Sequence, residues 1–68
     1  MTQETFRIPN ISCSHCTNSI QRELLELPGV TDVKGDVKGR TITVDWKAPA
    51  SREIILETLR DINYPAAV

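Results

Sequence analysis

Two stretches of this chain carry apolar residues at helical spacing. Cys16, Ile20, Leu24 and Leu27 follow one another by four, four and three positions, and Ile55, Leu59 and Ile62, supported by Leu56, repeat the pattern nearer the other end. Each helix so formed has one apolar stripe, and each stripe needs a surface to cover. The chain has 68 residues, room for one domain over residues 1–68. A domain of that size buries only about 60% of its unfolded surface. Both stripes must therefore close over one shared sheet.

The segments between them read as strands. Thr5-Phe6-Arg7-Ile8 alternates polar and apolar, and Pro9-Asn10 ends it. Pro28-Gly29 stops the first helix, and Val30 and Val33 open a second strand that Gly35 makes irregular and Val37 extends. Lys38-Gly39-Arg40 reads as a turn. Thr41 to Trp46 then alternates cleanly, with Ile42, Val44 and Trp46 on one face, and Trp46 is expected in the sheet or at its edge, far from any site. Lys47 to Ala50 is a loop, Ser51 a suitable N-cap for the second helix, and Asn63 a residue that tolerates the left-handed conformation that ends one. Ala66-Ala67-Val68 predicts a short last strand, which Pro65 confines to an edge or a strand start. The order strand, helix, strand, strand, helix, strand predicts an α+β two-layer sandwich of the split βαβ kind.

Composition removes several functions. Charged residues make up 25% of the chain, mixed in sign, with a net charge of −1. There is no basic field for nucleic acid and no polybasic stretch for a lipid surface. Three aromatic residues, with no aromatic-rich central strand, argue against RNA binding on a shared fold type. No apolar run reaches the length of a membrane span or a signal-peptide core, so a cytoplasmic location without membrane insertion is expected. The initiating Met1 and the natural end lead us to expect a whole chain rather than a domain cut from a larger one.

The chemistry concentrates in Asn10-Ile11-Ser12-Cys13-Ser14-His15-Cys16, which holds both cysteines and the only histidine. A disulfide across so short a loop removes little unfolded-chain entropy, so a structural bridge is a poor reading. Cys13 closes the loop after the first strand and Cys16 begins the first helix, where free backbone N–H groups and the helix dipole favour a thiolate. Two such thiolates form a soft, anionic, two-donor site. Soft donors select Cu(I), with Zn(II) and other thiophilic metals as competitors, whereas structural zinc takes four protein ligands. A buried or adventitious thiol pair, and a thiol–disulfide oxidoreductase with Cys16 as nucleophile, remain open at this level. Against the oxidoreductase stand the shortness of the chain and the lack of a flanking aromatic residue and proline.

Taken with its surroundings, Ile11-Ser12-Cys13-Ser14-His15-Cys16 resembles the M-x-C-x-x-C motif of the heavy-metal-associated domain family. The resemblance extends to Leu27-Pro28-Gly29-Val30, Thr43-Val44-Asp45 and Asn63-Tyr64-Pro65-Ala66, almost the whole chain. It implies a ferredoxin-like βαββαβ fold with a four-stranded antiparallel sheet and both helices on one face. It implies a non-enzymatic metallochaperone, similar to bacterial copper chaperones of the CopZ type, that binds Cu(I) through Cys13 and Cys16. Its partner would be the metal-binding domains of a copper-transporting P-type ATPase, reached by ligand exchange, with a copper-bridged homodimer as a further possibility. A carrier of Zn(II), Cd(II) or Hg(II) is the alternative. The chain departs from the family pattern in having Asn10-Ile11 for Gly-Met and Asn63-Tyr64 for Gly-Tyr, and in offering Ser12 where zinc-exporting relatives tend to carry a carboxylate. On this resemblance Ile11 fills the apolar plug beneath the loop, and Tyr64 comes near the cysteines. His15 faces outward, either without a role or tuning the thiols and bridging a dimer. Ser12, Ser14, His15, Thr17 and Asn18 would form the docking surface.

Overall fold

The computed structural model describes residues 2–67. Five elements follow in the order β1 (Thr2–Arg7), α1 (Ser14–Leu25), β2 (Val30–Asp36), β3 (Thr41–Trp46) and α2 (Arg52–Asp61). The sheet order is β1-β3-β2, and both pairings are antiparallel. β3 is therefore the central strand. Its alternation places Ile42, Val44 and Trp46 on the covered face, where all three are buried. On the other face the hydroxyls of Thr5 and Thr43, directly opposed in the ladder, lie 3.0 Å apart and exposed. One apolar face and one polar face make a two-layer structure, since only the apolar one gains from being covered.

The helices supply the cover through the expected stripes. Cys16, Ile20 and Leu24 of α1 and Ile55 and Leu59 of α2 are buried against Phe6, Ile8, Val33 and the β3 residues. Leu27 falls beyond the end of α1 and, with Leu56 and Ile62, packs at the margin of that core. Trp46 is not an edge residue. It lies on the central strand, 6% exposed, with its ring stacked 6.2 Å from that of Phe6. It pairs with Thr2 and Val30, at the end of the sheet opposite the Arg7–Thr41 pair that precedes the cysteine loop.

The expected four-stranded sheet is corrected to three strands among the described residues. After α2 the chain returns beside β1, and among the described residues one backbone bond joins them, from the Ala67 N–H to the Arg7 carbonyl at 2.7 Å. Pro65 has no N–H to give, and Ala66 and Ala67 are too short a run to build a ladder. Val68, the last residue of the expected strand, lies outside the described residues.

The irregularity expected at Gly35 lies elsewhere: the register shifts between Val30 and Asp32, Gly35 pairs regularly with Ile42, and β2 ends at Asp36, before Val37. A Cβ at Gly35 would stand 2.6 Å from Cβ of Thr17 and 2.8 Å from its Cγ2. The missing side chain lets the start of α1 settle onto β2. Thr17, expected on the docking surface, is accordingly 5% exposed, and its hydroxyl donates to the Ser14 carbonyl at 2.9 Å.

Candidate metal centre

The loop that carries the cysteines begins with a turn. The Ile11 N–H donates to the Ile8 carbonyl at 3.1 Å, across Pro9 and Asn10. Pro9 presets its φ for the second position of such a turn. Ile11 itself is 1% exposed and anchors the loop in the core. Ser12 and Cys13 are exposed. Cys13 is the N-cap of α1 in an extended conformation (φ −159°, ψ 175°), so the helix starts earlier than its apolar stripe indicates and Cys16 sits inside the first turn. The Cys16 N–H closes that turn on the Cys13 carbonyl at 3.1 Å.

This geometry turns both thiols to one point. The two sulfurs are 3.9 Å apart and unbonded, and Ser12 Oγ lies 3.7 Å from Cys16 Sγ. No side chain caps α1 and no acidic residue occupies its first turn. The partial positive charge of the helix start is left for the sulfurs. The Cys16 thiol is lowered from 9.0 to about 6. The largest cause is the Tyr64 hydroxyl, which favours the thiolate as a donor; the Ser12 N–H, the Ser12 hydroxyl and the Cys13 N–H act in the same sense, and burial opposes them. At neutral pH Cys16 is thus largely a thiolate. The same contact works in reverse on Tyr64, whose hydroxyl is held above its ordinary value, first by the bond to Cys16 and then by burial.

Tyr64 reaches the site because of how α2 ends. Ile62 is the C-cap, and Asn63 takes the left-handed conformation with φ 67°. The Asn63 N–H donates to the Arg60 carbonyl at 3.1 Å, and the Tyr64 N–H to the Leu59 carbonyl at 2.8 Å. These two bonds are those of a Schellman motif. They reverse the chain and leave the half-buried Tyr64 beside Cys16. A further link joins the two loops: Asn10 Nδ2 donates to the Asn63 carbonyl at 2.9 Å.

The other expected site residues divide. Ser14, His15 and Asn18 are exposed, and Thr17 is buried. Among the described residues no three His, Cys, Asp or Glu side chains come together to hold a metal, so His15 does not join the cysteines in a ligand set. Sequence reasoning missed Asn10, which it read as the end of a strand. The only signal was that Asn10 and Asn63 both stand where the family pattern has glycine.

The family model for the heavy-metal-associated domain matches residues 5–65. The COP-associated protein of Helicobacter pylori (strain ATCC 700392 / 26695) is 35% identical over 57 residues, covering 84% of this chain and 86% of its own. The copper chaperone CopZ of Bacillus subtilis (strain 168) is 28% identical over 68 residues, covering 98% and 99%. The solution structure of apo-CopP from Helicobacter pylori superposes with a TM-score of 0.87 at 30% identity, over 97% of this chain and all (100%) of that one.

Proposed function

The chain belongs to the heavy-metal-associated domain family, and from that premise we propose that it is a cytoplasmic copper carrier that holds one Cu(I) between Cys13 and Cys16 and passes it on by ligand exchange. The observation that carries this reading is the pair of sulfurs, 3.9 Å apart, at a helix start with no cap of its own. Soft thiolates suit Cu(I), and the relatives' names point to copper. A carrier of this kind turns over no substrate and is not an enzyme. No helix among the described residues is long and apolar enough to cross a membrane.

The spacing of the sulfurs favours exchange over permanent storage. An ion about 2.3 Å from each sulfur, a usual metal–thiolate distance, would see this pair at an angle of about 116°. That angle suits a site with room for a third ligand. Strictly linear binding would require the sulfurs to separate to about 4.6 Å. With two sulfurs in place and no third protein ligand grouped with them among the described residues, an incoming thiolate has a position to occupy. The receiver is then a domain with its own thiolate pair, of the kind the family carries in copper-transporting P-type ATPases.

The test is an anaerobic competition titration of the reduced protein with Cu(I) against a chromophoric chelator, with Zn(II) run in parallel. One Cu(I) per chain, held far more tightly than Zn(II) and lost in the Cys13→Ser, Cys16→Ser variant, is expected. Equal competition by Zn(II), or copper that stays with the chelator, would assign the pair to another metal or to redox work.

A further inference from the structure

Asn10 and Asn63 stand 53 positions apart in the chain, and one hydrogen bond joins them at the mouth of the site. Its chemistry is specific. The acceptor is the carbonyl of the peptide unit that links Asn63 to Tyr64. The N–H of that same peptide unit donates to the Leu59 carbonyl at 2.8 Å. Both ends of a single peptide plane are therefore engaged, one by the end of α2 and the other by the loop that leads to the cysteines. Because a peptide unit is planar and rigid, fixing its two polar ends fixes where the Tyr64 Cα stands and so narrows where its ring can reach.

The donor is held as firmly as the acceptor. Asn10 lies in the turn closed by the Ile11 N–H on the Ile8 carbonyl. It follows Pro9, whose φ is fixed, and precedes Ile11, which is 1% exposed. Three residues later comes Cys13. The carboxamide thus ties the segment that positions one half of the site to the segment that positions the tyrosine over the other half.

We propose that Asn10 is a positioning residue for metal retention: its carboxamide latches the cysteine loop to the Asn63–Tyr64 peptide and so holds Tyr64 beside the cysteine pair, slowing the entry of a competing ligand. The latch rests on the copper-carrier reading for its consequence, but its geometry is readable in the metal-free protein. It also assigns different duties to the two asparagines. Asn10 acts through its side chain. Asn63 acts through its backbone carbonyl, so its own side chain is dispensable as long as the left-handed conformation survives, which glycine allows.

Five proteins test this: the parent, Asn10→Ala, Asn63→Gly, Tyr64→Ala, and Asn10→Ala combined with Tyr64→Ala. In the metal-free state, amide exchange of the Tyr64 N–H and the ring resonances of Tyr64 are followed by NMR. Asn10→Ala should speed Tyr64 amide exchange about fivefold, the loss of one ordinary hydrogen bond, and shift the ring signals. Asn63→Gly should do neither. In the copper-loaded state, the rate of Cu(I) removal by excess chelator should rise about fivefold in Asn10→Ala and stay at the parent value in Asn63→Gly. On the Tyr64→Ala background, Asn10→Ala should add less than it does in the parent, because the side chain that Asn10 positions is gone. Equal acceleration on both backgrounds would overturn the proposal and leave Asn10 as a brace of the loop alone. So would unchanged Tyr64 exchange and ring signals in metal-free Asn10→Ala. If the parent takes up no Cu(I), the carrier reading fails, and the metal-free spectra still decide whether the latch exists.

Discussion

The two helices begin in opposite ways. α2 starts on Ser51, whose hydroxyl accepts from the Ile54 N–H at 3.3 Å, and Glu53 lies in its first turn. Its own side chains supply a cap bond and a negative charge at its N-terminus. α1 starts on Cys13 in a nearly identical extended conformation, with no side-chain cap and no acidic residue in the first turn. Its start is held from outside, by Ile11 below and by Thr17 against Gly35. A helix that caps itself has no use for a ligand at that end. A helix held by its neighbours can leave its first N–H groups and its dipole for two thiolates. On the copper-carrier reading, the contrast separates a helix start built for stability from one built for binding.

Changes to the two ends should follow that division. Gly35→Ala attacks the external support of α1: its new Cβ meets the Thr17 Cβ at 2.6 Å, an atom that cannot swing away. The cost should be about 1–3 kcal/mol, as for other overpacked sites, measured by urea unfolding. A cost near zero would mean that α1 is not seated on β2 as described. Ser51→Ala should cost about 1 kcal/mol through the lost cap of α2. The matching change at the other helix should run the other way: Cys13→Ser installs a preferred cap where none acts, and the metal-free protein should gain about 0.5 kcal/mol while losing tight metal binding. If Cys13→Ser destabilises the metal-free chain instead, the open start of α1 is not a sacrifice made for function.

The contrast between the two helix starts also reaches pH dependence. Cys16 is depressed to about 6 in the folded protein from an ordinary 9.0. Between those values the unfolded chain binds more protons than the folded one, so stability rises with pH across that window. Conversely, it is fully present above about 9 and lost as pH falls through about 6. Ultraviolet thiolate absorbance should show one group titrating near pH 6. Tyr64→Phe should move that midpoint upward, since the tyrosine hydroxyl is the largest cause of the shift. An unmoved midpoint would place the tyrosine elsewhere.

Much of this was legible in the chain. The helical stripes were legible because burial repeats with the helix, and Ile20, Leu24, Ile55 and Leu59 needed an apolar surface to cover. The cysteine pair was legible as a motif, and the Asn63 turn through its tolerance of positive φ. What escaped depends on contacts between distant segments. The start of α1 at Ser14 is set by the extended Cys13, not by an apolar period. Thr17 looked like a surface residue because only the absence of a side chain at Gly35 gives it a place to bury. The Asn10–Asn63 bond joins residues 53 positions apart in the chain and leaves no periodic trace. The last strand was expected from topology, and Pro65 with two alanines cannot complete its ladder.

The claim at the centre is that the pair at the α1 start exchanges copper through an entering thiolate instead of releasing it to water. Stopped-flow mixing tests it most directly. The chain loaded with one Cu(I) is mixed with a reduced receiver domain bearing its own thiolate pair, and separately with a bulky chelator of equal copper affinity. Ligand exchange predicts a rate that rises with receiver concentration and far exceeds loss to the chelator. Identical rates for both, independent of acceptor concentration, would mean that the ion dissociates first, and would contradict the reading of this site as a carrier's.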